Sequence, residues 1–189
     1  MIEDIYNKLI GQFPDTLEKT SEDDNKSTSD RYMTSCKQTV VNIDKFKDDF
    51  VKNMSLTSVP KSCDALYMTS QKKFFMIEFK NGKIEAKKNY EINMKILESL
   101  HMLSEVFSET IAFMRDNMYF ILVYNENIVH GQVQYENTGI RRISGPVFKR
   151  ARIREIRFGL HRFKKLYFKD VFTYSKAEFE SEFISNYCS

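Results

Sequence analysis

The residues best suited to chemistry lie in two neighbouring segments, one around Asp64 and the other in FFMIEFKNGK, residues 74–83. In the second segment, four apolar residues run directly into Glu78, Phe79 and Lys80. A carboxylate and an amine in so apolar a strand are costly to desolvate unless they are paired or bind an ion. The pattern therefore indicates a chemical role for these charges.

A predicted β-hairpin brings the charges together. Residues 62–69 and 73–80 have the composition of two strands joined by a three-residue loop. In that register Asp64 lies opposite Glu78, with the two Cβ atoms about 5 Å apart. Glu78 and Lys80 share one sheet face because strand side chains alternate with a period of two. A two-residue loop would shift the register by one and weaken this alignment.

Two carboxylates so close together repel each other, and a divalent cation between them would relieve the repulsion. Carboxylate oxygens suit Mg²⁺ or Mn²⁺, which keep several waters and bind substrate phosphate. A metal-bound water can attack phosphorus while the metal neutralises the developing charge. Lys80 would orient or deprotonate that water, or stabilise the pentavalent phosphate. The spacing therefore predicts a metal site at which a bound water is activated for attack on phosphorus.

The order Asp64, hairpin, Glu78-Phe79-Lys80 resembles the signature of the PD-(D/E)XK nuclease superfamily. The core of this restriction-endonuclease-like fold runs helix, three strands, helix, strand, and the resemblance covers roughly residues 40–125. It implies that Asp64 and Glu78 bind Mg²⁺ or Mn²⁺ and that the Phe79 carbonyl is a further ligand. It also implies that Lys80 is the catalytic lysine, and a setting in defence or restriction.

The same resemblance suggests accessory residues on the two core helices. Members often carry an acid on the first helix, where Asp44 is the nearest match and Asp48 the alternative. On the second helix Lys95 projects beside the apolar face, and Asn93 lies at the other margin. The predicted accessory residues are therefore Asp44 and Lys95.

The elements that must position these residues follow from apolar spacing. The predicted helices span residues 2–13, 42–54, 89–107 and 176–185, and strands beyond the hairpin span residues 118–124 and 166–174. A first core strand is expected in residues 55–59. The predicted fold class is α/β (α+β), a mixed central sheet flanked by helices with additions at both ends.

The predicted domain organisation has three parts. Residues 1–13 form a short N-terminal helix, residues 14–31 a polar linker or loop, and residues 32–189 the nuclease-like domain. Within that domain the region 141–169 is strongly basic, as expected of a surface that neutralises phosphates. Its candidate nucleic-acid-binding residues are Arg150, Arg152, Arg154, Arg157, Arg162, Lys164 and Lys165. An acidic protein partner is the alternative.

Composition sets the remaining expectations. With 189 residues, 42% of them hydrophobic, the chain is long enough to form one domain with a substantial core. Its net charge is only +3. Three scattered cysteines without C-x-x-C spacing argue against a disulfide framework or zinc site and favour a cytoplasmic, reducing setting. A membrane span is not expected.

Two functions follow from these expectations. The first is a metal-dependent nuclease acting on DNA, ahead of RNA, as a homodimer or part of a larger assembly. The alternative is a catalytically inactive module of the same fold that binds nucleic acid or a protein.

Overall fold

A six-stranded sheet forms the centre of the molecule. A computed structural model describes residues 2–23, 31–129 and 156–188. The strands are β1 (Pro14–Thr16), β2 (Thr39–Asn42), β3 (Ala65–Met68), β4 (Phe74–Lys80), β5 (Met118–Tyr124) and β6 (Asp170–Ser175). They lie in sequential order across an open sheet. Strands β1 to β4 pair antiparallel, whereas β4, β5 and β6 are parallel, so the sheet is mixed.

Helices flank the sheet on both faces. They are α1 (Ile2–Gln12), α2 (Leu17–Thr20), α3 (Ile43–Asn53), α4 (Ala86–Phe107), α5 (Ile111–Asn117), α6 (Glu126–Val129), α7 (Lys176–Glu178) and α8 (Ser185–Tyr187). A 3-10 helix spans Leu160–Phe163, and a π-helix at Phe179–Ile184 joins α7 to α8. Helices α1, α3, α4 and α5 pack on one face, while α2 and the π-helix pack on the other. The α/β class is therefore confirmed.

The predicted hairpin register is confirmed. Ala65 lies opposite Ile77, and the Thr69 amide donates to the Lys73 carbonyl at 3.0 Å across the loop. Continuing this register places Asp64 opposite Glu78, as the three-residue loop predicted. Strand β4 has a neighbouring strand on each edge and a hydrophobic core on each face, which explains why six of its seven residues are buried.

Helix α4 and strand β5 match their predicted positions, with α4 beginning three residues before the predicted residue 89. Parallel strands need a crossover connection, and α4 supplies it between β4 and β5. Its buried face, which includes Ile92 and Ile96, packs over the same sheet face as Met76 of β4 and Leu122 of β5. Glu78 shares that face with Met76, so α4 covers the predicted site.

The prediction of a linker over residues 14–31 is wrong where the structure describes the segment. Residues 14–16 form β1 and residues 17–20 form α2, with the Leu17 side chain fully buried. Helix α1 is equally part of the domain, because Tyr6 and Leu9 are buried in the main core. The main domain therefore includes residues before 32. The polar composition concealed this because one buried leucine is enough to anchor so short a segment.

The first core strand is also misplaced in the sequence prediction. Residues 55–59 contain no strand, and β2, which precedes α3, pairs with β3 instead. The predicted cap of α3 is correct, since the Asn42 side chain accepts a hydrogen bond from the Lys45 amide. Helix α3 therefore lies between two sheet strands rather than ahead of all three.

Candidate active site

Glu78 is the most deeply buried charged residue of the predicted site. It lies on β4 and is 0% exposed. Two lysines compensate its charge: Lys95 Nζ lies 2.8 and 3.0 Å from the two carboxylate oxygens, and Lys80 Nζ lies 2.5 Å from Oε1. A buried carboxylate needs such partners because its desolvation is otherwise very costly. These two lysine partners explain how the apolar strand β4 accommodates the charge of Glu78.

Asp64 precedes β3 and faces the same cluster. Its Oδ2 accepts a hydrogen bond from the Phe79 amide at 2.6 Å, and its Oδ1 accepts one from Lys95 at 3.1 Å. Burial and the neighbouring Glu78 carboxylate raise the pKa of Asp64 to about 7, against the opposing effect of Lys95 and Lys80. The carboxyl of Asp64 therefore keeps its proton to a higher pH than an ordinary aspartate does.

Lys95 reaches the cluster from α4, as its position beside the apolar stripe of that helix predicted. Burial alone would lower the pKa of its ammonium, but the adjacent carboxylates of Asp64 and Glu78 outweigh burial and raise it above the ordinary value. Lys95 is therefore a permanent cation that bridges both acids. The prediction placed it near the site, whereas the bridging contact depends on the packing of α4.

Asp44 lies in the first turn of α3 and faces the same cleft as Asp64. Its carboxylate accepts hydrogen bonds from Ser62 and from Lys47, the latter at 2.9 Å. Burial works to raise the pKa of Asp44, but these hydrogen bonds outweigh it and hold the pKa below its usual value. The alternative, Asp48, contacts Lys47 at 3.6 Å and is similarly exposed, with side-chain exposures of 66% for Asp48 and 55% for Asp44. Asp44, and not Asp48, is among the residues that line the described cleft.

A cleft of about 540 Å³ opens onto these groups. Among its lining residues are Asp44, Asp64, Phe79, Lys80 and Lys95. The segment after α2 forms another part of the wall, through Ser21, Glu22 and Asp23. These residues were not predicted from the sequence, because the polar composition of the segment is typical of a linker. The signal available was Thr16, whose side chain caps α2 by accepting a hydrogen bond from the Lys19 amide.

A metal ion at this cleft would have few protein ligands. In the part of the chain that the structure describes, no group of three or more His, Cys, Asp or Glu side chains is placed to hold a metal. A metal would therefore rely on Asp64, Glu78, a main-chain carbonyl and water, a set that Mg²⁺ accepts. The Phe79 amide points toward Asp64, and strand geometry directs the carbonyl of the same residue to the same side.

The candidate nucleic-acid-binding residues that the structure describes lie at different ends of the sheet. Arg157 is close to the site, with its guanidinium 5.2 Å from the ring centroid of Tyr124, which pairs with Lys80. Lys164 forms an ion pair with Asp170 at 2.7 Å, at the opposite end of β5 and β6. Arg162 and Lys165 are exposed in the same region as Lys164. Arg150, Arg152 and Arg154 lie outside the described residues.

Comparison with models of protein families, with curated proteins and with solved structures found no match for this chain. The resemblance to the PD-(D/E)XK superfamily therefore stays a prediction from the sequence pattern. Among the described helices, none is both long enough and apolar enough to cross a membrane.

Proposed function

We propose that this chain is a metal-dependent nuclease of restriction-endonuclease-like fold that hydrolyses phosphodiester bonds in DNA or RNA. The observation that carries the proposal is the convergence of Asp64, Lys80 and Lys95 at one cleft, with the buried Glu78 carboxylate in contact with both lysines. The topology supports it, because an antiparallel β2-β3-β4 unit followed by a helical crossover to a parallel β5 resembles that core. The biological setting that the resemblance implies is defence or restriction.

In this proposal Asp64, Glu78 and the Phe79 carbonyl hold Mg²⁺ or Mn²⁺. When bound, the ion supplies an activated water and neutralises charge on the phosphate. In this proposal the Lys80 ammonium orients the attacking water or stabilises the phosphate; its 2.5 Å contact with Glu78 and its position in the cleft wall support that role. Asp44, ionised at neutral pH, helps to position the hydrated ion. The three free cysteines suit a cytoplasmic, reducing setting.

The decisive experiment is a cleavage assay on single- and double-stranded DNA and RNA, with Mg²⁺, Mn²⁺ or EDTA. We expect metal-dependent cutting by the wild type and a loss of roughly a hundredfold or more in Lys80→Met, which removes the ammonium but keeps the aliphatic chain. Lys52→Met is the matched control, because Lys52 is exposed in the last turn of α3, away from the cleft.

One observation favours the alternative of an inactive binding module of the same fold. Lys80 and Lys95 already match the charges of Asp64 and Glu78, so the cluster is balanced without a metal. Salt-sensitive binding of nucleic acid by a folded wild type that cuts none of the substrates would support this alternative. Cutting that persists in EDTA, or is unchanged in Lys80→Met, would contradict the nuclease proposal.

Arg157 provides a test of nucleic-acid binding near the cleft. Its guanidinium packs on Tyr124, beside Lys80 on the same sheet face. We expect Arg157→Ala to weaken binding about tenfold at 50 mM salt and to lower the salt dependence by about one phosphate contact. Fluorescence anisotropy with a labelled oligonucleotide would measure both quantities.

The control for Arg157 is Arg115→Ala, because Arg115 lies in the last turn of α5, at the opposite end of β5. Equal binding by the two variants would remove Arg157 from the proposed contact surface. The same measurement with RNA would decide which nucleic acid is preferred. Sedimentation would determine whether the chain acts as a homodimer or in a larger assembly.

A further inference from the structure

The ammonium of Lys95 lies between the two proposed metal ligands. Its Nζ is 3.1 Å from Asp64 Oδ1 and 2.8 and 3.0 Å from Glu78 Oε1 and Oε2. A divalent ion that bridges these carboxylates would contact the same oxygens at about 2.1 Å. The lysine nitrogen and the ion would therefore compete for one position.

The charges of the cluster lead to the same conclusion. Without metal, and with both acids ionised, the carboxylates of Asp64 and Glu78 are matched by the ammonium groups of Lys80 and Lys95. A divalent ion added to this balanced set would lie a few ångströms from two ammonium groups, at a strong electrostatic cost. Withdrawal of one ammonium relieves that cost. Lys95 is the group to withdraw, because it contacts both acids.

The structure offers a position for the displaced side chain. Lys95 is 23% exposed and lines the cleft, where Asp44 also lies. Its charge already acts on Asp44 and helps to lower the pKa of that carboxyl. The flexible four-carbon stem of lysine allows its ammonium to swing into the cleft without movement of α4. There it faces Asp44 or a substrate phosphate.

We infer that Lys95 is an exchangeable internal counter-ion, which holds Asp64 and Glu78 together in the metal-free protein and leaves them when a divalent ion binds. This inference rests on the proposed metal-dependent function. The Lys95 ammonium then competes with the metal ion for the carboxylates of Asp64 and Glu78. Metal affinity in the wild type is then lower than the two carboxylates alone would provide.

The test is Mn²⁺ binding to the full chain, measured by the loss of the free Mn²⁺ electron paramagnetic resonance signal. We expect Lys95→Met to bind Mn²⁺ at least tenfold more tightly than the wild type, because the competing ammonium is gone. Lys87→Met is the matched control, since Lys87 is exposed on the same helix and should leave the affinity unchanged. Lys95→Gln provides a second neutral variant if Lys95→Met folds poorly.

The outcomes separate this inference from the proposed function. Tighter binding in either neutral variant, including binding that appears only there, supports the exchange. Equal or weaker binding in folded Lys95 variants, with clear binding by the wild type, overturns the exchange and leaves the metal site standing. A lack of Mn²⁺ binding by the wild type and by all folded variants overturns both the exchange and the metal-dependent function.

Discussion

Glu78→Gln is expected to reduce metal-dependent cleavage by roughly a thousandfold. The substitution keeps the shape of the side chain but removes the charge that pairs with Lys80 and Lys95 and would bind the metal. Because Glu78 is fully buried, water cannot replace the lost charge. The measurement is the single-turnover cleavage rate at saturating Mg²⁺, with circular dichroism to verify the fold.

Glu105→Gln is the control for this prediction, since Glu105 is exposed on α4 far from the cleft. We also expect Glu78→Gln to lower Tm, because Lys80 and Lys95 lose a buried partner. A folded Glu78→Gln protein that cleaves at the wild-type rate would exclude Glu78 from the catalytic centre.

Metal binding and cleavage are expected to increase with pH through about 7. Burial and the neighbouring Glu78 raise the pKa of Asp64 to about 7, so below this pH Asp64 carries a proton that a metal must displace. Each pH unit below 7 should therefore weaken Mg²⁺ binding by up to about tenfold. The rise in Tm produced by Mg²⁺ at pH 5.5 and pH 8 provides a measurement that is independent of activity.

Ionisation of Asp64 as the pH rises should favour metal binding but lower the stability of the metal-free protein. The folded pKa of Asp64 is about 7, above the ordinary value of 3.8, so the folded state binds the proton more tightly. Its contribution to the free energy of unfolding is present at low pH and is lost as pH rises from about 4 to about 7. In EDTA, Asp64→Asn should remove this contribution. An unchanged dependence of Tm on pH in the variant would show that another group is responsible.

The local part of the site was predictable from the sequence. Loop length determined the β3–β4 register, which placed Asp64 opposite Glu78. The helical spacing of α4 and the apolar run of β5 predicted this helix and this strand at their observed positions, whereas their parallel crossover was not predicted. These features depend on short-range periodicity, which survives in any packing of the elements.

The remaining features of the site depend on contacts between segments that are distant in sequence, which the sequence did not reveal. The wall of the cleft around Glu22 and Asp23 comes from a polar stretch that carries little periodicity. The contacts of Lys95 with Asp64 and Glu78 depend on the position of α4 on the sheet. Side-chain spacing within the helix does not determine that position. Strand β2 was likewise not predicted, because it is identified only by its pairing with β3, which lies beyond α3 in the sequence.

The sequential order of strands has a consequence for synthesis of the chain. Each strand pairs with its neighbour in sequence, so the sheet can grow from one edge as residues leave the ribosome. Asp64, Glu78, Lys80 and Lys95 all lie between residues 64 and 95, so both acids and both of their lysine partners emerge within one short interval. The charged cluster can therefore neutralise itself before β5 and β6 are made. The Glu78 carboxylate can therefore already have its lysine partners when β5 pairs with the free edge of β4.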